Sequence, residues 1–325
     1  MDYIWKQIKK DIIPEQSKIG RYVYIDIIKI VAAFFVVFYH YSFNSLDYGF
    51  IKGTLYRPNI NRLIMSFAAC SVPLFFMVNG ALMFSRKRKW NEIYYKAAKI
   101  VFLIVCFSFF HFPSWFFCTL VILYFLYPVF SWAYEDHKII YYSIIGAFLL
   151  FPFIYNEGTV LLKLIAHKDY SITGAKTLYS IVYFLVGNLI FREKTYPRWK
   201  SIFLILSGMG LLLFDCVIVT NYKQAITDGV NGAFPTLGAL LLSVGVFELI
   251  KSIEFNKAVW ISFISQGILP IYLLHSIVIN YTTTLFGKPT NIFSALLGSS
   301  IICILCCCIG WVLKKIPVLC FLMKI

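Results

Sequence analysis

The sequence predicts an all-α, polytopic membrane protein with about ten transmembrane helices and both termini in the cytoplasm. Three observations carry that prediction. Only 14% of the 325 residues are charged, whereas 60% are hydrophobic and 19% aromatic, and a soluble chain of this length carries roughly a quarter charged residues. Apolar runs long enough to span a bilayer recur along the whole chain. The basic residues also gather in alternate loops. With the N-terminus inside, 22 of the 30 Lys and Arg residues fall in cytoplasmic segments and 8 in outer loops, as the positive-inside rule requires. The same topology explains the net charge of +15 without invoking nucleic acid as a partner. It leaves a cationic inner face for an anionic ligand or lipid.

Residues 1–22 hold Lys6, Lys9, Lys10, Lys18 and Arg21, with Trp5, Ile8, Ile12 and Ile13 spaced toward one side. They read as a cytoplasmic interfacial amphipathic segment. Residues 23–325 form one membrane domain. Its expected spans are 24–43, 61–84, 96–112, 115–134, 138–155, 177–191, 201–220, 233–250, 259–280 and 292–313. The loop 156–176 is too short in its apolar part to span and reads as a cap or re-entrant segment. Loops 44–60, 221–232 and 281–291 are polar and suit the wall of a ligand site. No internal repeat is visible, so a transporter built from inverted halves gains no support. The nine cysteines lie mostly in apolar runs. The cluster CILCCC at 303–308 has no nearby His or acid for a zinc site, so these residues read as packing groups and no metal is expected.

Chemistry is expected where ionisable groups lie inside spans, because such groups are costly in a bilayer and persist where they have a partner or a function. The run IDIIKIVAAFFVVFYHY (25–41) carries Asp26, Lys29 and His40. Lys29 and His40 are eleven residues apart, close to three turns, which places them on one face about 16 Å apart. Asp26, Lys29 and Glu248 fall near the inner side. His40, Asp215 and His275 fall in the outer half, with His111 at the outer end of the third span. Lys96 and Lys99 sit one turn apart where the third span leaves its loop, and with Lys29 they form a mouth for a polyanion. The run Arg86–Lys89 reads as snorkelling anchors. His40 can take a proton from a sugar hydroxyl. Asp215 or His275 can orient it. His275 follows Pro270, which predicts a kink around a cavity. His137 and His167 read as solvated loop residues.

Several runs resemble signatures of one family. IDIIKIVAAFFVVFYH, SVPLFFMVNGALMF, PSWFFCTLVILYFLYPVF, YFLVGNLIF and ILPIYLLHSIVI are similar, in order and spacing, to successive helices of the acyltransferase-3 family of bacterial membrane proteins. The resemblance implies a ten-helix enzyme of the cell membrane. It takes an acyl group, usually acetyl, from cytoplasmic acyl-CoA and passes it to a hydroxyl of a cell-surface polysaccharide or lipid-linked glycan. The family motif of a basic residue, ten positions and a histidine falls on Lys29 and His40. A second motif, two arginines three apart, falls on Lys96 and Lys99. Lysine replaces arginine at all three basic positions, which keeps the charge and loses the bidentate fork. Asn79-Gly80 stands where the family usually has Ser-Gly. The chain is expected to be a stand-alone member, without an appended extracellular esterase-like domain. On this reading CoA phosphates rest against Lys29, Lys96 and Lys99, with Asp26 beside Lys29, and the thioester reaches His40. The sequence does not choose between general-base catalysis and an acyl-histidine. Expected partners are acyl-CoA, the glycan acceptor and membrane lipids, with a homo-oligomer compatible. The rival reading is a transporter or export component for a lipid-linked sugar, with the buried His and Asp residues as proton-relay or binding groups.

Overall fold

The computed structural model describes residues 22–43, 45–46, 60–108, 114–154, 178–221, 233–255, 261 and 264–323, with the side chains of 151–152, 215–221 and 318 left out. Its described residues form helices and no strand. In chain order these are α1 (Val23–Ser42), α2 (Ile60–Phe67), α3 (Ser71–Phe84), α4 (Trp90–Phe107), α5 (Trp115–Asp136) and α6 (Lys138–Leu149). They continue with α7 (Tyr179–Arg192), α8 (Arg198–Asn221), α9 (Leu237–Lys251), α10 (Ile268–Phe286), α11 (Ile292–Leu313) and α12 (Pro317–Leu322). A 3₁₀ turn over Ala68–Cys70 joins α2 to α3, so the two read as one apolar stretch, and a π turn over Leu150–Ile154 extends α6. Among the described residues five stretches are long and apolar enough to cross a membrane: Val23–Ser42, Ile60–Phe84, Trp115–Asp136, Ile268–Phe286 and Ile292–Leu313. The segments 1–21, 47–59 and 155–177, with His111 and His167, lie outside the described residues.

Helix α1 sits at the centre of the packing. It meets α3, α9, α10 and α11, and its apolar positions Ile28, Ala32, Val37 and Phe38 are fully or almost fully buried. A helix buried on several sides needs apolar residues around most of its circumference, which is the pattern of IIKIVAAFFVVF. The pairs α8–α9 and α3–α7 are the other tight contacts. The α3–α7 pair is closed by two glycines. A Cβ on Gly80 would lie 2.7 Å from the Phe184 carbonyl carbon, and one on Gly187 would lie 2.6 Å from that of Met77. These are reciprocal backbone contacts of a small-residue helix crossing.

Polar side chains finish the helix ends. Arg192 donates from Nη2 to the Phe84 carbonyl at 2.6 Å and from Nε to Asn188 Oδ1 at 3.1 Å. Asn188 donates to the Tyr141 hydroxyl at 3.0 Å, and Tyr141 donates to the Leu185 carbonyl at 2.9 Å. This buried chain of bonds ties α3, α6 and α7 together. Glu248, 1% exposed, accepts from the Tyr196 backbone N–H at 3.0 Å. Lys251 donates to the carbonyls of Ile190 and Glu193. Glu248 therefore pins the turn between α7 and α8.

Three sequence expectations shift. α4 begins at Trp90, so Lys96 and Lys99 lie inside the helix and not at its mouth. α10 begins at Ile268 after a turn at Gln266–Gly267, which places Pro270 in its first turn. There a missing N–H costs nothing, and the break in helical path falls at the turn just before Pro270, after helical residues at 264–265. α10 also runs on to Phe286, because Thr282, Thr283 and Thr284 bond back to carbonyls of their own helix. Only Gly287–Asn291 remain as a turn, with Gly287 at φ 82° and Asn291 and Ser294 closing a capping box on α11.

Candidate active site

The two ends of α1 carry different chemistry. Toward its N-terminal end Asp26 is buried at 4% exposure and Lys29 is partly buried. Lys96 on α4 comes into the field of Lys29 and of the loop residues Arg88 and Arg86, with the Glu92 carboxylate as counter-charge. Arg88 is fixed rather than mobile. Its Nε and Nη2 donate to the Met83 and Leu82 carbonyls at 3.1 and 2.7 Å, closing the end of α3. Burial first, and the Arg86 charge second, hold the Arg88 guanidinium below its usual range. So much positive charge at one place is relieved by an anion.

Glu92 gathers two residues of the basic run, with Arg88 Nη1 at 3.8 Å and Arg86 closer. Arg86 pairs with Glu92 at 2.9 Å and Lys87 with Glu135 at 2.8 Å. Lys99, on the same helix as Lys96, also meets the C-terminal helix. It is 4% exposed and its ammonium lies 4.5 Å from the ring centre of Phe321 on α12, a cation–π contact. Lys96 is within the field of Lys29.

At the other end of α1 stands a pair of imidazoles. His40 is exposed and His275 of α10 is fully buried behind it, with ring centroids 5.2 Å apart. Tyr39 lies edge-on to His40 at 5.0 Å. His275 Nδ1 is 2.8 Å from the Tyr272 carbonyl and 3.1 Å from that of Ile271. Carbonyl oxygens only accept, so Nδ1 carries a proton. The Ser276 hydroxyl lies 3.5 Å from Nε2. Tyr272, one turn back, packs against Phe116 and Phe117 of α5 and seats this part of α10. The sequence spacing finds His40 and His275 separately, and only the α1–α10 packing brings them together. Asp215 lies on α8, which packs against α9 and α2, and its side chain is outside the described residues.

Arg88 escaped sequence reasoning as a placed group because it sits in a run of four basic residues. The Tyr124 hydroxyl, which donates to Asn79 Oδ1 at 3.0 Å, escaped it too. Its signal was Asn79 at a family position usually held by serine. Two cysteines of the 303–308 cluster act as packing groups: Cys306 is wholly buried in the core and Cys307 lies where a side chain on Gly267 would go, while Cys118 and Cys308 are exposed. Among the described residues no group of three His, Cys, Asp or Glu side chains could hold a metal ion.

A helical membrane protein with a cationic cluster at one end of its central helix and a histidine pair at the other has the parts of a group-transfer enzyme. The comparison with protein families makes the class definite. The family model described as an acyltransferase domain matches residues 22–110 and 99–314. The chain belongs to the acyltransferase-3 family and is a membrane acyltransferase. No curated protein and no solved structure matches it.

Proposed function

We propose that the chain is a ten-span O-acyltransferase of the cell membrane with both termini in the cytoplasm. Residues 1–22 lie on the inner surface and 23–325 form the catalytic domain. It moves an acyl group, acetyl being the expected one, from cytoplasmic acyl-CoA to a hydroxyl of a cell-surface polysaccharide or lipid-linked glycan. The observation that carries this reading is the central helix, with Lys29 beside Lys96 at one end and His40 against His275 at the other.

CoA phosphates rest against Lys29 and Lys96 in the field of Arg88, as point-charge contacts. Asp26 stands one turn from Lys29, and Lys99 holds α12 in place behind the same helix. The thioester lies at His40. The unprotonated nitrogen of His40 takes the proton of the acceptor hydroxyl as its oxygen attacks the thioester carbonyl. The tetrahedral intermediate expels the CoA thiolate, which receives the proton back from the His40 imidazolium.

The test uses inverted membrane vesicles given acetyl-CoA labelled in its acetyl group. Vesicles holding the protein incorporate label into endogenous glycan. His40→Ala lowers that rate by at least about a hundredfold, while acetyl-CoA still raises the melting temperature of the purified variant. Full transfer by His40→Ala overturns the reading.

A further inference from the structure

We infer that His275 is a positioning residue that fixes which nitrogen of His40 carries the proton, and so which one is free to act as base. The inference deepens the proposed acyl transfer and rests on it for its catalytic consequence. Its structural content stands alone.

The argument starts from hydrogen-bond inventory. His275 is 0% exposed, so its polar atoms must find partners within the protein. Nδ1 meets two backbone carbonyls of its own helix, Tyr272 at 2.8 Å and Ile271 at 3.1 Å. Neither can donate, so the proton sits on Nδ1 and the neutral ring presents a bare Nε2. A ring held in this way has one orientation and one tautomer. The Ser276 hydroxyl reaches Nε2 only at 3.5 Å, the outer limit of a hydrogen bond, and that leaves the acceptor underused. The ring of His40 lies beside that of His275, with centroids 5.2 Å apart and planes inclined at 39°. Two such rings need only a modest side-chain rotation for an N–H of His40 to reach Nε2.

The consequence is chemical. A free neutral imidazole exchanges its proton between two nitrogens, and only one tautomer faces the acceptor hydroxyl with a lone pair. An N–H of His40 bonded to His275 Nε2 keeps the proton on the buried side and the lone pair on the exposed side. When the exposed nitrogen takes the hydroxyl proton, the resulting imidazolium keeps its bond to His275 and later returns the new proton to the CoA thiolate. No proton passes through His275. Buried carboxylates beside catalytic histidines have the same task of holding orientation and tautomer. Here a carbonyl-anchored neutral imidazole does so, and it adds no negative charge to a membrane interior.

Two measurements test this. The first needs no enzyme activity. In full-length protein in lipid nanodiscs with ¹⁵N-labelled histidine, the His40 signals, assigned by their loss in His40→Ala, show a single tautomer. They become a mixture in His275→Leu. A mixture already present in the wild type, or a single unchanged tautomer in His275→Leu, overturns the inference. The second compares labelled acetyl transfer into endogenous glycan in membrane vesicles. His275→Leu loses kcat by about a hundredfold with the KM for acetyl-CoA within twofold. His275→Gln, whose amide can both donate to the carbonyls and accept from His40, recovers most of it. Equal loss in both variants, with both purified proteins melting as wild type, removes the positioning role. Loss of transfer dependence on His40 itself would instead overturn the acyltransfer reading and leave the tautomer result standing.

Discussion

Substituting Gly187 by alanine separates α3 from α7, and the structure sets the size of the effect. The new Cβ would sit 2.6 Å from the Met77 carbonyl carbon and 2.5 Å from its Cα, both rigid backbone atoms. Neither can swing away as a side-chain tip would, so the helices must part by roughly an ångström, and a close-packed interior answers such overpacking with about 1–3 kcal/mol. The separation also pulls on the bonds that span it, Arg192 to the Phe84 carbonyl and Asn188 to Tyr141, each contributing about 1 kcal/mol. A total near 3 kcal/mol lowers the melting midpoint by roughly 5–10 °C. The assay is thermal unfolding of the detergent-solubilised protein followed by tryptophan fluorescence. Gly80→Ala, which meets the Phe184 backbone, behaves alike. The double variant costs less than the sum, because helices already parted accept the second methyl, and the coupling is about 1–2 kcal/mol. Gly146→Ala and Gly210→Ala meet nothing within 4 Å and leave the midpoint unchanged or raised, since alanine is the better helix former. A Gly187→Ala protein that melts with the wild type, or strictly additive costs, refutes the close-crossing argument.

Two further outcomes follow from the ends of the helices. Lys29→Glu reverses the charge beside Lys96 and removes the rise in melting temperature produced by acetyl-CoA, whereas Lys29→Arg keeps it, because a point charge is what that position supplies. Retention of the thermal shift in Lys29→Glu contradicts the phosphate-anchor role. Arg192→Ala leaves the Phe84 carbonyl and Asn188 Oδ1 without their donor and lowers stability by about 2–3 kcal/mol. Arg192→Lys recovers less than half, since one ammonium cannot meet both acceptors at the same geometry, and the same fluorescence melts read it.

Much of the helix layout was legible because each apolar run announces itself. The span expected at 292–313 coincides with α11, and that expected at 24–43 lies one residue from α1. Boundaries failed where a polar surface continues a helix. The threonines at 282–284 look like loop residues, but each hydroxyl can bond a carbonyl one turn back, which lets the helix run on. Pro270 marks the place but not the residue of the break, which falls at the turn 266–267, just before the start of Pro270's own turn of helix. The site was half legible. Lys29 and His40 share one helix, so their relation is fixed by helical rise alone. The relation of His40 to His275 spans 235 positions of sequence and is set by how α10 leans on α1. Lys96 and Lys99 look equivalent in sequence, and packing of α12 against α4 makes them different.

The placement of Lys29 and His40 along α1 bears on which substrate crosses the membrane. α1 has 20 residues and so measures about 30 Å, the thickness of a hydrocarbon core. Lys29 is six residues from its N-terminal end, about 9 Å in, while His40 is two residues from the other end, about 3 Å in. His275, whose ring lies 5.2 Å from that of His40, is seven residues from the start of α10 and eleven from its end, about 10 and 16 Å, so the two imidazoles sit within the span of α10 while Lys29 lies toward the other end of α1. On the proposed orientation the donor does the travelling. Its phosphates descend a turn and a half past the inner surface, and its thioester arm covers the remaining 16 Å or so to His40. The acceptor hydroxyl meets the thioester at the exposed edge of His40. A polar glycan would pay heavily to enter hydrocarbon, so an enzyme that sends the slender thioester arm across and keeps the sugar outside takes the lower-energy route. Moving the cation tests this ruler directly. Lys29→Ala with Ala33→Lys, one turn nearer His40, sets the donor anchor about 6 Å too deep, so that the arm overshoots the histidine. Acetyl-CoA should still bind and transfer should be lost, whereas a simple local need for positive charge would restore both.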